Sequence, residues 1–439
     1  MLNDAQGHAL TGATAEALPH YEQAVRAFTL SYGDAAKLCE AARQASPTFA
    51  MAHLAKAWMF TLSNDCQFIP GARALLATAR ALPLNEREAA HASALAHAVE
   101  GYRASAVRIL DRHLMRHPRD LIAHFAALHQ DAFRGEFASV RDRSARALPF
   151  WSRGMPSFGI MRSFYGFGLE EAGNYAQSED VSREAAALEP YGYWPHHAVS
   201  HVLEMTGRPR DGLAWMDERD AFWSGKDNQS RVHIWWHKAL FHVELGDFDA
   251  ALAIYDGPVQ ATQRPIGISL TNATALLWRL EMLGIDAGDR WQSLAKLWEG
   301  HADGKLCLFA DVHAAMTAIR AGDSATLDRL RAVMSATAAS GAEPSHAYRA
   351  IGLPLVDGLT AYHRGDHASA LEHLLAARYD LWLIGGSHAQ RDVVEWTIAD
   401  AAIRSGQRDV AVALANERLS HRPQSAVNQR LKGAAEALA

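Results

Sequence analysis

The sequence predicts an all-α protein built from antiparallel helix pairs, and three observations carry that expectation. The first is periodicity: segments such as "SVRDRSARALPF" and "ALEHLLAARYDLWL" place apolar residues at three- and four-residue steps, and no clear alternating strand run occurs. The second is a ladder of glycines at 101, 135, 173, 207, 246, 284, 322, 365 and 406, spaced by 34 to 43 residues. A spacing so regular marks a repeat. The third is a pattern at fixed offsets from the ladder glycines. A small residue sits five positions on at Ala106, Ala251, Ala370 and Ala411, and Pro118, Pro190 and Pro423 each fall seventeen positions on. Glycine makes the tight turn between two helices, the small residue lets them approach, and proline ends the second.

Glycine, an aromatic two on (Tyr175, Phe248), alanine five on and proline seventeen on resembles the second half of the tetratricopeptide repeat, whose usual period is about 34 residues. The resemblance covers roughly residues 90 to 430 and implies a tetratricopeptide-like α-solenoid. Four stretches in order, "HAVSHVLEMTGR", "WWHKALFHVELGDFDAALAIYD", "DVHAAM" and "GGSHAQRDV", are similar to the tetratricopeptide repeat protein 38 family, a resemblance that implies a fold and no reaction. The chain departs from the repeat pattern in places. The first-helix tryptophan, leucine-glycine and tyrosine are mostly missing, Gly212 stands where alanine is usual, and the spacing drifts. Irregular, mutually tilted pairs and strong curvature are therefore expected. Residues 1–90 carry one repeat-like pair, "SYGDAAKLCEAARQASPTFAMAHLAKAWMF", and are expected to form an N-terminal helical cap on a repeat array spanning 91–439.

Composition narrows the classes of partner. The 439 residues carry 43 Lys and Arg against 49 Asp and Glu, a formal net charge of -6, which supplies no basic footprint for a nucleic-acid backbone and no lysine run for an anionic membrane. Neither nucleic acid nor membrane is expected as a partner. The N-terminus lacks a basic region followed by an apolar stretch, and three scattered cysteines form no disulfide or zinc spacing, so a cytoplasmic protein is expected.

The candidate site lies in the histidine-rich stretches. In the repeat, the resemblance implies that the first helix of each pair lines the concave surface. Counting back from Gly207, His197, His201 and Glu204 are ten, six and three before; from Gly246, His233, Trp236 and His237 are thirteen, ten and nine before; from Gly322, Asp311 and His313 are eleven and nine before. Spacings of three and four put such residues on one helical face. His197, His201, His237 and His313 are the candidate acids and bases, since imidazole titrates near neutrality and a carboxylate such as Glu204 or Asp311 can orient it. His197, His201 and His237 could also hold a divalent metal, although no known zinc signature is matched and no cofactor is firmly implied. A third stretch, "SHAQRD", interrupts an apolar helix and restarts another. Ser387 is a natural N-cap, and His388, Gln390, Arg391 and Asp392 come next in the first turn, where Arg391 could clamp a carboxylate or phosphate. The bland alternative is that the histidines form a solvated helix face and that Arg391 and Asp392 tie neighbouring helices. Two readings of function are open. One is a module binding a small molecule or peptide in a concave pocket; the other is an enzyme acting on a small anionic molecule. A homodimer is left open.

Overall fold

The computed structural model of the chain describes residues 2–260 and 266–438. Helix succeeds helix from Ala17 to Glu436. Among the described residues, strand structure amounts to a short antiparallel hairpin, Leu2–Asn3 against Ala9–Leu10, and an isolated bridge between Tyr32 and Asn228.

The helices fall into the expected pairs. Nine are joined at the ladder glycines, beginning with Glu86–Ala98 and Arg103–Leu114 about Gly101 and ending with His388–Arg404 and Arg408–His421 about Gly406. All nine glycines have positive φ, between 67° and 87°. An L side chain rarely adopts that left-handed turn, which lets the chain leave one helix and start the next. The second helices often begin on a capping aspartate: Asp247, Asp323 and Asp366 accept hydrogen bonds from the amides of Ala250, Thr326 and Ser369. The first 90 residues hold two further pairs, Ala17–Leu30 with Ala35–Ala45 and Ala50–Leu62 with Ile69–Arg80.

The small residues sit where the paired helices meet. Ala106, Ala251 and Ala370 are fully buried and Ala411 nearly so. Gly212, the departure from alanine, has a physical cause. A Cβ there would lie 2.4 Å from ring carbons of Phe241, so Pro209–Glu218 approaches Arg231–Glu244 more closely than alanine allows.

The chain divides into two compact units, residues 1–199 with 220–231 and residues 200–219 with 232–439. In the first, Phe125, Phe164, Phe167 and Trp194 pack ring against ring. In the second, Trp236, Trp278 and Trp291 are buried, and residues 422–425 return to the unit's own first helices. There Arg422 reaches Glu204 at 3.6 Å and the Ser425 hydroxyl donates to Glu244 at 2.8 Å. Gln424 lies against Gly207, where a Cβ would meet its own Cβ at 2.9 Å. Among the described residues no helix is long and apolar enough to cross a membrane.

Candidate functional site

Three histidines of the second unit converge. His233 and His237 stand one turn apart on Arg231–Glu244, and His201 comes from Tyr193–Met205. The ring centroids of His201 and His237 are 4.4 Å apart, and those of His233 and His237 are 4.7 Å apart. One ring nitrogen from each of the three lies within 4.8 Å of the others. His201 and His237 are fully buried, whereas His233 keeps partial exposure and gives the cluster a way to solvent.

Two outer nitrogens are held by acceptors. His237 Nδ1 lies 3.1 Å from Glu204 Oε2, one helical turn beyond His201, and His233 Nδ1 lies 2.6 Å from Asn272 Oδ1. The two Nε2 atoms then face each other at 3.2 Å. His233 stacks on Trp236, 15° from parallel, and the Arg279 guanidinium lies 5.5 Å over the same indole.

The charges around this cluster explain its protonation. Desolvation, reinforced by His201, His233 and Arg279, holds His237 well below the usual imidazole range, and desolvation lowers His233 to about 3. Both rings are therefore neutral. Burial raises Glu204 against the opposing pull of Arg422. Arg279 is lowered to about 10 by desolvation; its guanidinium donates to the carbonyls of Ala275 and Ala389. Burial would raise Asp392, but Arg418 at 2.9 Å and Arg422 at 2.5 Å overcome it and hold the carboxyl below its ordinary range. Beside the histidines, Arg418 and Arg422 are matched by Asp392, Glu204, Glu244 and Glu395, whereas Arg279 donates to carbonyls.

A neutral His233 that donates Nδ1–H to Asn272 carries its lone pair on Nε2. If Glu204 is ionised, His237 donates its own Nδ1–H and likewise carries its lone pair on Nε2. Two lone pairs at 3.2 Å repel unless a proton or a cation lies between them.

His197 belongs to the first unit, stacked on Tyr193 at 4.8 Å and tilted against Phe167 at 5.1 Å. His313 is buried, its Nδ1 2.7 Å from the Phe309 carbonyl, and desolvation lowers it to about 4. Asp311 does not orient an imidazole through either oxygen: one accepts the Gly304 amide at 2.8 Å and the other the Tyr348 hydroxyl at 2.6 Å, fastening a loop and a neighbouring helix. Burial lifts it to about 7. The 387–392 turn is a capping box. Ser387 Oγ accepts the Gln390 amide at 3.3 Å and Gln390 Oε1 accepts the Ser387 amide at 3.0 Å. The amide that the sequence offered to an anion is thus taken by Ser387. Arg391 is buried with its guanidinium on the Gly386 carbonyl, and His388 is exposed.

Sequence reasoning missed Asn272, Arg279, Arg418 and Arg422. Asn272 was within reach, since it is twelve before Gly284, a position equivalent to those of the chosen histidines. The two late arginines carry no local signal, because only the return of residues 418–425 brings them to Glu204 and Asp392. A second histidine group, in the first unit, is structural. Asp120 accepts from Arg87 Nε at 2.6 Å and lies 3.0 Å from His91 Nε2 and 2.9 Å from His113 Nε2, while also capping the helix that starts at Leu121. Its lone pairs are spent.

No family model matches the chain. Among solved structures it is similar to a human IFIT1 dimer with PPP-AAAA, at 14% identity and a TM-score of 0.42 over 89% of this chain and 90% of that one. It is also similar to a human IFIT1 dimer with m7Gppp-AAAA, at 15% identity and a TM-score of 0.43 over 95% of this chain and 94% of the other. An IFIT1 monomeric mutant with Gppp-AAAA matches at 14% identity and a TM-score of 0.43 over 97% and 96%. These neighbours hold nucleic acid, so the exclusion of nucleic acid drawn from net charge is withdrawn. The physical reason is plain: a net charge averages over the whole chain and says nothing of how charge is distributed locally.

Proposed function

We propose that the second unit binds a small anionic molecule at a divalent transition-metal centre made by His201, His233 and His237. The observation that carries this is the pair of Nε2 atoms 3.2 Å apart, each backed on its far side by an acceptor. A tetrahedral ion with metal–nitrogen distances of about 2.0–2.1 Å has a ligand–ligand edge of about 3.3–3.4 Å. The observed separation is close to that edge. Glu204 and Asn272 occupy the place where metal-bound imidazoles donate their second N–H, which fixes tautomer and orientation. Imidazole donors suit zinc, copper, iron and nickel ions. Arg279, which donates to two carbonyls and pairs with no carboxylate among the described residues, favours an anion beside the ion. When bound, such an ion polarises a ligand oxygen or activates water, which is the chemistry an enzyme reading requires. Four motif stretches support kinship with the tetratricopeptide repeat protein 38 family, and the concave-pocket reading of the histidines motivates the same site.

The test is metal content and Co²⁺ absorption of the purified chain. Wild type should bind Co²⁺ with visible bands, Glu204→Gln about 10- to 100-fold more weakly, and His237→Ala scarcely at all. Inorganic phosphate should perturb the Co²⁺ bands of wild type and less so those of Arg279→Met. A folded wild-type chain that takes up neither Zn²⁺ nor Co²⁺, or a His237→Ala chain that binds as well, would refute the centre.

A further inference from the structure

The first unit contains a cavity of about 310 Å³, separate from the histidine cluster and lined by Asp4, Gln6, Tyr21, Glu22, Arg87 and the apolar side chains of Val25, Leu121 and Ile122. That volume suits a small molecule. Its walls come from the N-terminal hairpin turn, the Ala17–Leu30 helix and the start of Leu121–Ala132.

Two independent observations converge on it. Tyr21 is 1% exposed, yet its hydroxyl makes no hydrogen bond among the described residues, and its surroundings include Arg87, Asp4 and Asp120. A buried hydroxyl without a partner costs about 1–3 kcal/mol, and a lining residue is placed to recover that from a ligand. The second observation is charge. Arg26 is matched by Glu189, with contacts at 3.2 and 2.6 Å, and Arg87 is shared between Asp4 at 2.9 Å and Asp120 at 2.6 Å. Glu22 has no cationic partner among the described residues, and desolvation together with nearby Asp4 pushes its carboxyl above the ordinary value. With Arg26 and Arg87 each matched, Glu22, which accepts the Ala5 amide, is the lining carboxylate that no cation neutralises among the described residues.

We propose that this cavity binds a small organic ammonium, its charged head between Glu22, Asp4 and the Tyr21 hydroxyl and its apolar body against Val25, Leu121 and Ile122. The Tyr21 oxygen accepts one ammonium N–H and Glu22 accepts another. The unmatched negative charge discriminates against acids of the same shape, and the ammonium removes the deficit that isolates Glu22. The site lies wholly in the first unit and does not depend on the metal reading.

Saturation-transfer NMR and calorimetry with phenethylamine test it on the full chain, with phenethyl alcohol and hydrocinnamate as controls of similar shape. The amine should bind saturably and hydrocinnamate should not. Tyr21→Phe loses no protein hydrogen bond, so its melting temperature should stay level while amine affinity falls about two- to tenfold. Glu22→Gln should weaken the amine about 10- to 100-fold, with circular dichroism reporting an intact fold. Binding of the alcohol as tight as that of the amine, an unchanged affinity in Glu22→Gln, or no saturable binding of the amine would each overturn the assignment.

Discussion

Replacing Gly212 with alanine is a sharp test of the helix-pair geometry, because two principles predict opposite signs. On an open helix face the change should stabilise by about 1 kcal/mol, since glycine is the poorer helix former. Here the new Cβ would lie 2.4 Å from Phe241 Cε2 and Cζ and 2.7 Å from Cε1. Ordinary contact begins near 3.4 Å, so the ring or the helix has to move by about 1 Å. Phe241 is fully buried and cannot swing into solvent. Overpacking of this kind costs about 1–3 kcal/mol, and a clash with a rigid ring belongs at the upper end. Set against the propensity gain, the net loss is about 2 kcal/mol. Urea denaturation should therefore show a lower midpoint for Gly212→Ala. Phe241→Leu, destabilising by itself, should cost less in the Gly212→Ala background than in wild type, a coupling that a double-mutant cycle measures. A stabilised Gly212→Ala chain, or strictly additive effects, would refute the claim that these two helices meet at this point.

Ala251→Phe puts a ring at a fully buried position on the second helix of the next pair and should cost about 1–3 kcal/mol by the same assay. Asp120→Asn leaves the buried Arg87 short of its main counter-charge and should cost about 3–5 kcal/mol, read as a lower melting temperature. Asp311 gives a pH signature. Its folded carboxyl holds a proton up to about 7 against 3.8 ordinarily, so its contribution to stability is complete below the ordinary value and is lost as pH rises toward 7. Wild-type stability should fall between about pH 4 and 7 more steeply than that of Asp311→Asn, and equal slopes measured by urea titration across that range would contradict the assignment.

The repeat architecture was readable because backbone geometry writes itself into single residues. A left-handed turn requires glycine, a close helix approach requires a small residue, and both recur at fixed offsets. Gly212 looked like a flaw in that pattern until Phe241 showed what occupies the missing methyl's place. Ser387 was legible as a cap for the same local reason. The site was only half legible. His201, Glu204, His233 and His237 obey helical periodicity, so counting back from the turn glycines finds them. Arg279 is hidden in an apolar run, and Arg418 and Arg422 lie about 180 to 220 residues beyond the histidines, so no local pattern links them. The same limit hid one contact of Arg391, since counting places it in a first turn without revealing that its guanidinium donates to the Gly386 carbonyl. Proximity produced by closure of the unit leaves no periodic trace.

That closure has a thermodynamic consequence. In an open row of repeats each unit leans only on its neighbours, and melting can begin by fraying at either end. In the second unit Arg422 and Ser425 bind the carboxylates of Glu204 and Glu244, and Gln424 packs on Gly207. These contacts fasten the segment between the last two helices to the first. Opening the first pair of the unit then also breaks contacts to its last, which adds a long-range coupling to those between nearest neighbours.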